Sequence, residues 1–284
     1  MAVPLPHGAC DTHVHVFGPV DRYPYAPDRG YTPPDALPAE LTALHRRLGI
    51  TRTVLIQPSP YGTDNSRLLD ALGELVPDAR GVAVVAPDAD PGLLRAMREA
   101  GVCGARVNLK VRTTTDVDRA RRRIEETVRA VGAVGWHLEL HADTGTLTAL
   151  ADTLGTLPVP VVLDHFARIT PGAEGETEAL KTVLRLLESG HVWLKLSAPY
   201  RVADDYPDLR GLLASLVAAR PDRLLWGSDW PHTGGTPADR DPGRVQLYLV
   251  VDDEGSVGSL AGLLGAETVQ QVFTANPATL YGFA

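Results

Sequence analysis

The sequence predicts a distorted (β/α)8 barrel, forming a single domain over residues 1–284. Short, β-rich apolar runs recur along the chain and alternate with segments of helical period, the pattern of βα units around a parallel sheet. Polar residues gather at the C-terminal ends of those runs, the end at which such a barrel carries its chemistry. The first run is not followed by the glycine-rich phosphate turn of an open doubly wound sheet, which places that rival below the barrel.

Eight strands are read, in order, as "CDTHVHVF" (10–17), "RTVLIQ" (52–57), "GVAVVA" (81–86), "GARVNL" (104–109), "WHLELHA" (136–142), "VPVVLDH" (159–165), "VWLKLS" (192–197) and "LLWGSD" (224–229). The helices expected between and after them are Pro38–Leu48, Asn65–Val76, Pro91–Ala100, Asp116–Val131, Thr146–Leu154, Glu176–Glu188, Leu209–Ala219 and Ala266–Phe273. Asp64, Asp90 and Asp116 are expected as N-caps and Pro91 as a first helical residue. Two long connections rich in Pro, Gly and Asp, residues 18–37 and 230–245, follow the first and eighth strands and are expected over the catalytic face.

An apolar fraction of 44% in 284 residues supplies a sizeable core. The net charge of −8 and the dispersal of the arginines speak against a nucleic-acid partner, while leaving room for a small anionic substrate met by a local arginine cluster. The two cysteines, Cys10 and Cys103, lie in apolar strand contexts and read as small buried hydrophobes. No run approaches the roughly 20 apolar residues of a membrane span, and the start "MAVPLPHGAC" has no secretory pattern. The expectation is a cytoplasmic enzyme with no membrane partner.

The strand ends carry the functional reading. Residues alternate along a strand, so His13 and His15 point to one side of the first, while His141, His165 and Asp229 approach from three others. One isolated histidine is usually a hydrogen-bonded structural residue, but convergence of these five on one barrel mouth predicts a shared site. Two chemistries fit. Three of the imidazoles with the carboxylate could hold one divalent metal, zinc by ligand type, that acidifies a bound water. Without metal, the histidines could polarise a substrate carbonyl while Asp229 takes a proton from water. Arg106, Arg112 and Arg201 lie at the same end and suit carboxylate recognition, with Tyr31 and Ser59 as hydroxyl contacts. His232 is expected behind the site; Trp226 and Trp230 are expected to pack.

The stretches "GACDTHVHVFGP", "QPSPYGTDN", "GARVNLKVR", "VPVVLDHFAR", "WLKLS", "LLWGSDWPH" and "NPATLYGF" together resemble the amidohydrolase superfamily, in the branch of 2-pyrone-4,6-dicarboxylate hydrolases and related lactonases. The resemblance runs through nearly the whole chain. It implies hydrolysis at a lactone or related carbonyl, with Asp229 as the base that activates water and His13, His15 and His165 polarising the carbonyl without metal. It implies that Arg106, Arg112 and Arg201 bind substrate carboxylates and that Tyr31 and Ser59 add contacts.

His141 departs from that branch, where the resemblance implies tyrosine; in metal-dependent branches a fifth-strand histidine is a ligand, which implies His13, His15, His141 and Asp229 as the set for one divalent metal, zinc foremost. "HFAR" likewise replaces the usual Met-Gly after the sixth-strand histidine, reshaping the pocket floor. The leading expectation is a hydrolase of a small carboxylated lactone. The alternatives are a metal-dependent decarboxylase of an aromatic or unsaturated acid, and a non-catalytic ligand-binding barrel.

Overall fold

The computed structural model describes residues 4–75, 77–110, 116–234 and 241–283. Eight parallel strands form one sheet in chain order: β1 (Cys10–Val14), β2 (Arg52–Ile56), β3 (Ala79–Ala83), β4 (Val102–Asn108), β5 (His137–His141), β6 (Val161–Leu163), β7 (Val192–Ser197) and β8 (Leu224–Gly227). Seven helices follow β1 to β7 in turn: α1 (Pro38–Leu48), α2 (Ser66–Leu75), α3 (Pro91–Glu99), α4 (Val117–Val131), α5 (Thr144–Leu154), α6 (Glu176–Glu188) and α7 (Arg210–Ala219). After β8 come α8 (Asp253–Leu264), α9 (Ala266–Gln270) and α10 (Asn276–Tyr281). The distorted (β/α)8 barrel is therefore the observed architecture.

The barrel closes between β8 and β1 through an isolated bridge, Val14 to Trp230, with His15 N donating to Trp230 O at 2.8 Å and Asp229 N to His13 O at 2.9 Å. Side chains strengthen the join. Thr12 Oγ1 donates to Trp226 O at 2.7 Å, and Asp11 Oδ1 accepts from Ser228 N at 2.9 Å and from His13 N at 3.2 Å. Asp11 is fully buried, so these bonds offset the cost of taking its carboxylate out of water.

Several boundaries differ from the sequence expectation, for local reasons. Strand β1 ends at Val14, not at residue 17, because its register shifts between Asp11 and Val14 and the chain then pairs with Trp230. Strands β3 and β4 start two residues early, and β6 is only three residues long. Helix α5 starts at Thr144, since Asp143 caps it by accepting from Thr146 N at 2.8 Å. Asp90 and Asp116 cap α3 and α4 as expected, accepting from Leu93 N and Arg119 N, both at 2.9 Å. Asp64 sits one residue further out than a cap and accepts from Ser66 N at 3.0 Å. Val76, the expected end of the second helix, lies outside the described residues.

Helix α8 is absent from the sequence expectation: Gly255, Gly258 and Gly262 depress its propensity and its amphipathic period is faint. The expected helix 266–273 is α9 followed by a π-helical turn, Gln271–Ala275, which leads into α10. There Tyr281 and, beyond it, Phe283 pack with Cys10, Val54, Trp193 and Leu225. The main core runs under α4 to α9, where each fully buried leucine contributes about 1.5–3 kcal/mol. No helix among the described residues is long and apolar enough to cross a membrane.

Candidate active site

The pocket lies at the C-terminal ends of the strands. It is lined by His15 beyond β1, Ser59 after β2, Arg106 and Asn108 on β4, His141 ending β5, His165 after β6, Arg201 after β7 and Asp229 after β8. Tyr31 from the first long loop and Thr233 and Gly234 from the second complete the wall, with Pro58 and Lys110. The loops hold each other: Gln246 N donates to Thr32 O at 2.8 Å and Arg29 Nη2 to Pro242 O at 2.9 Å. A wider cleft bounded by Tyr25, Tyr61 and Arg119 shares Ser59, Arg106 and Asn108 with this pocket. Residues 235–240 lie outside the described residues, as does Arg112, a residue expected to bind substrate.

Asp229 is the centre of the arrangement. Its Oδ2 accepts from Tyr200 Oη at 2.7 Å and from Arg201 Nε and Nη2 at 3.0 and 2.6 Å. Among the described residues its Oδ1 has no hydrogen-bond partner, and it faces the Nε2 atoms of His13, His15 and His165 at 3.6, 3.7 and 3.8 Å. Burial alone would raise this carboxyl, but the Arg201 guanidinium and the surrounding histidines hold it well below the usual carboxylate range.

The backbone that presents these groups is specialised. Gly227 ends β8 because a methyl there would lie 2.6 Å from His13 Cβ and 2.8 Å from His13 N. His165, Phe166, Ala167 and Arg168 form a left-handed turn, with φ of 50, 55, 51 and 61°. Each such non-glycine residue costs on the order of 1–2 kcal/mol. The turn projects His165 into the pocket, with its Nδ1 2.9 Å from Ser197 Oγ. Burial of Phe166 and Ala167 in the main core helps to offset the strain.

Each histidine has its own setting. His15 donates from Nδ1 to Ile56 O at 2.8 Å, so its neutral ring turns a lone pair on Nε2 toward Asp229. Burial, with His13 next to it, lowers its pKa to about 3. Burial also lowers His165 and His141, and neither ring nitrogen of His141 has a hydrogen-bond partner among the described residues. His141 stands edge-on to His165, with ring centroids 5.0 Å apart. Two groups of ligand atoms come within 4.8 Å of one another among the described residues: those of His13, His15 and Asp229, and those of His13, Asp164 and His165. His141 is adjacent to these groups and belongs to neither.

Of the arginines expected to bind substrate, Arg106 is 5% exposed, with Nη2 3.0 Å from Asp164 Oδ2, so much of its charge is already matched. Arg201 is matched by Asp229, though its Nη1 is not engaged among the described residues. Burial raises the Tyr31 hydroxyl, which shares the pocket wall with Ser59 and Thr233. His232 takes the expected position behind the site, with Nδ1 3.4 Å from Tyr200 Oη and Nε2 3.1 Å from Asp253 Oδ1.

Sequence reasoning missed Tyr200 and Lys110, and it missed a charged layer beneath the pocket. In that layer Lys195 and Glu139 are fully buried and joined by a short hydrogen bond, with Asp164 beside them. The strand period held the signal. In "HLELH" residues 137, 139 and 141 share a side, and in "WLKLS" residues 193, 195 and 197 do.

A closed parallel barrel bearing buried imidazoles and one carboxylate at its C-terminal mouth has the groups of a hydrolase that activates water. The chain belongs to the amidohydrolase family, whose model, described as Amidohydrolase, matches residues 10–283. It is 35% identical over 291 residues to a 2-pyrone-4,6-dicarboxylate hydrolase of Comamonas testosteroni, an alignment that covers 98% of this chain and 91% of that one. It is 33% identical over 283 residues to a 4-sulfomuconolactone hydrolase of Hydrogenophaga intermedia, covering 98% and 90%. A solved structure from Pseudomonas putida, proposed to be a 2-pyrone-4,6-dicarboxylic acid hydrolase, superposes with a TM-score of 0.81 at 30% identity over 98% of both chains.

Proposed function

We propose that this hydrolase opens a small lactone carrying acidic groups, with Asp229 as the base that activates water. The observation that carries the reading is the asymmetry of the Asp229 carboxylate: Oδ2 is held by three donors while Oδ1 is bare and faces three imidazoles. A water at Oδ1 gives up its proton there, and its second proton finds the His15 Nε2 lone pair. The resulting hydroxide attacks the ring carbonyl carbon, the ring C–O bond breaks, and the proton held by Asp229 passes to the departing ring oxygen, which yields an acid and an enol or alcohol and restores the base. Ring N–H groups of His13 and His165 stabilise the charge that develops on the carbonyl oxygen.

The wall supports an anionic substrate. Arg106, Lys110 and Arg201 line the pocket with Asp229 as the single carboxylate among its described residues, so an anionic ligand is favoured. Arg201 Nη1, Lys110, and the Ser59 and Tyr31 hydroxyls are the contacts we assign to it, with Arg106 adding field from the floor and Arg112 as a further arginine from the sequence. The relatives point the same way, since a pyrone dicarboxylate and a sulfonated muconolactone are both anionic lactones.

The donors also suit one divalent cation, zinc by ligand type. His15 already turns a lone pair to the bare Asp229 oxygen, and His13 would join them in the tautomer whose proton sits on Nδ1 and faces Asp164 Oδ1, 3.3 Å away. Such an ion, when bound, acidifies water and draws charge from a carbonyl. His141 stands near enough to support His165 in either case.

Incubation with 2-pyrone-4,6-dicarboxylate and with 4-sulfomuconolactone in 18O-labelled water tests the assignment. One labelled oxygen in a ring-opened product supports it. Release of carbon dioxide would replace it with the decarboxylase, and unchanged ligand recovered from both would leave a binding barrel.

A further inference from the structure

We propose that Lys195, inside the barrel, decides which nitrogen of His13 carries the proton and thereby holds the histidine cluster back from taking up a divalent cation. The inference deepens the reading of the same cluster given above. Its tests read proton position and cation affinity, not turnover, so they stand apart from the identity of the substrate.

Lys195 Nζ lies 3.1 Å from His13 Nδ1, in hydrogen-bonding geometry. An ammonium group only donates, so Nδ1 accepts and the single proton of the neutral ring sits on Nε2. Nε2 is the atom that faces Asp229 Oδ1, and a protonated nitrogen has no lone pair for a metal. The competing arrangement is built beside it. Asp164 Oδ1 is 3.3 Å from the same Nδ1 and is buried without a hydrogen bond, as is Glu139 Oε1 at 3.7 Å. A proton on Nδ1 would satisfy Asp164 and free Nε2, giving the carboxylate-oriented imidazole typical of metal ligands.

Lys195 tips the choice through position. It is fully buried, bonded to Glu139 Oε2 and 3.8 Å from Asp164 Oδ1, so its ammonium is anchored where it reaches His13. His15 has no such competitor, because a backbone carbonyl fixes its proton on Nδ1. Two adjacent histidines thus take opposite tautomers, and the difference traces to Lys195.

The first test uses the unaltered full chain after chelator treatment. Long-range 15N–1H correlation spectra, with His13 assigned by the signals lost in His13→Asn, are expected to show a protonated Nε2 and a bare Nδ1; the reverse pattern overturns the proposal. The second test compares zinc affinity, by chelator competition with zinc chloride alone, for the unaltered chain and for Lys195→Met combined with Glu139→Gln. That pair removes one charge of each sign, so no uncompensated ion is left in the barrel. Outer-shell partners typically alter metal affinity by 10–100-fold, and tighter zinc binding on the order of tenfold or more is expected. Equal or weaker binding by a variant with unchanged circular dichroism overturns the proposal.

Discussion

Arg201 grips Oδ2 of Asp229 through Nε and Nη2 at 3.0 and 2.6 Å and leaves Oδ1 turned to the histidines. One arginine therefore orients the proposed base, and in the proposed reading its remaining nitrogen meets a substrate anion. These two roles leave different kinetic signatures.

Replacing Asp229 by Asn keeps the shape and removes the base. The rate of ring opening should fall roughly 10²–10⁴-fold, as for loss of a general base, with substrate affinity largely kept. Stopped-time product assays paired with calorimetric binding check this; turnover near the unaltered level would remove Asp229 from its role.

Arg201→Met should raise KM for an anionic lactone. It should also let the Asp229 carboxyl climb back toward its ordinary range, since burial raises that group and Arg201 is the leading opposing influence. The acid limb of kcat/KM then moves to higher pH, because the base is protonated over more of the acid range. A KM change with an unmoved limb would confine Arg201 to substrate binding.

Gly227→Ala places a methyl 2.6 Å from His13 Cβ, and the neighbour is itself part of the barrel seam. The expected cost is about 1–3 kcal/mol of stability, in the range for an overpacked core, together with loss of activity from a displaced His13. Chemical denaturation and steady-state kinetics on the same sample measure both. Full activity would mean that His13 tolerates the shift.

His137 on β5 gives the acid side of stability a defined contribution. Burial, with Lys195 nearby, lowers its pKa from 6.5 to about 3. The unfolded chain takes up a proton below pH 6.5 that the folded chain refuses until about 3, so this contribution is complete above pH 6.5 and is lost as pH falls toward 3. The slope is at most about 1.4 kcal/mol per pH unit for one proton. Urea denaturation across that window should show a shallower slope for His137→Gln, and an identical slope would show that the folded protein protonates His137.

Much of this was legible in the sequence because it follows from period and local chemistry. The alternation in "THVH" put His13 and His15 on one side, and helix starts such as Asp90 and Asp116 follow from capping. Helix α8 was hidden by its glycines, which weaken propensity where tertiary packing supplies the stability. The charged layer was hidden for another reason. Lys195 reads as inward-facing from "WLKLS", but which of the other strands supplies its partners depends on barrel stagger, which no local pattern carries. The same limit applies to Arg201: its place at the barrel mouth could be read, whereas its engagement with Asp229 could not.

The seam between β8 and β1 has a consequence for how the protein comes into being. The bonds that close the barrel, Ser228 to Asp11 and Thr12 to Trp226, join residues 217 and 214 positions apart, and they lie just ahead of His13 and Asp229 along the chain. On the ribosome, therefore, the proposed catalytic pair cannot assemble while Asp229 is still to be made or held in the exit tunnel. Every earlier nascent state has an open sheet edge, so the proposed centre forms only once the eighth strand has emerged and docked on the first.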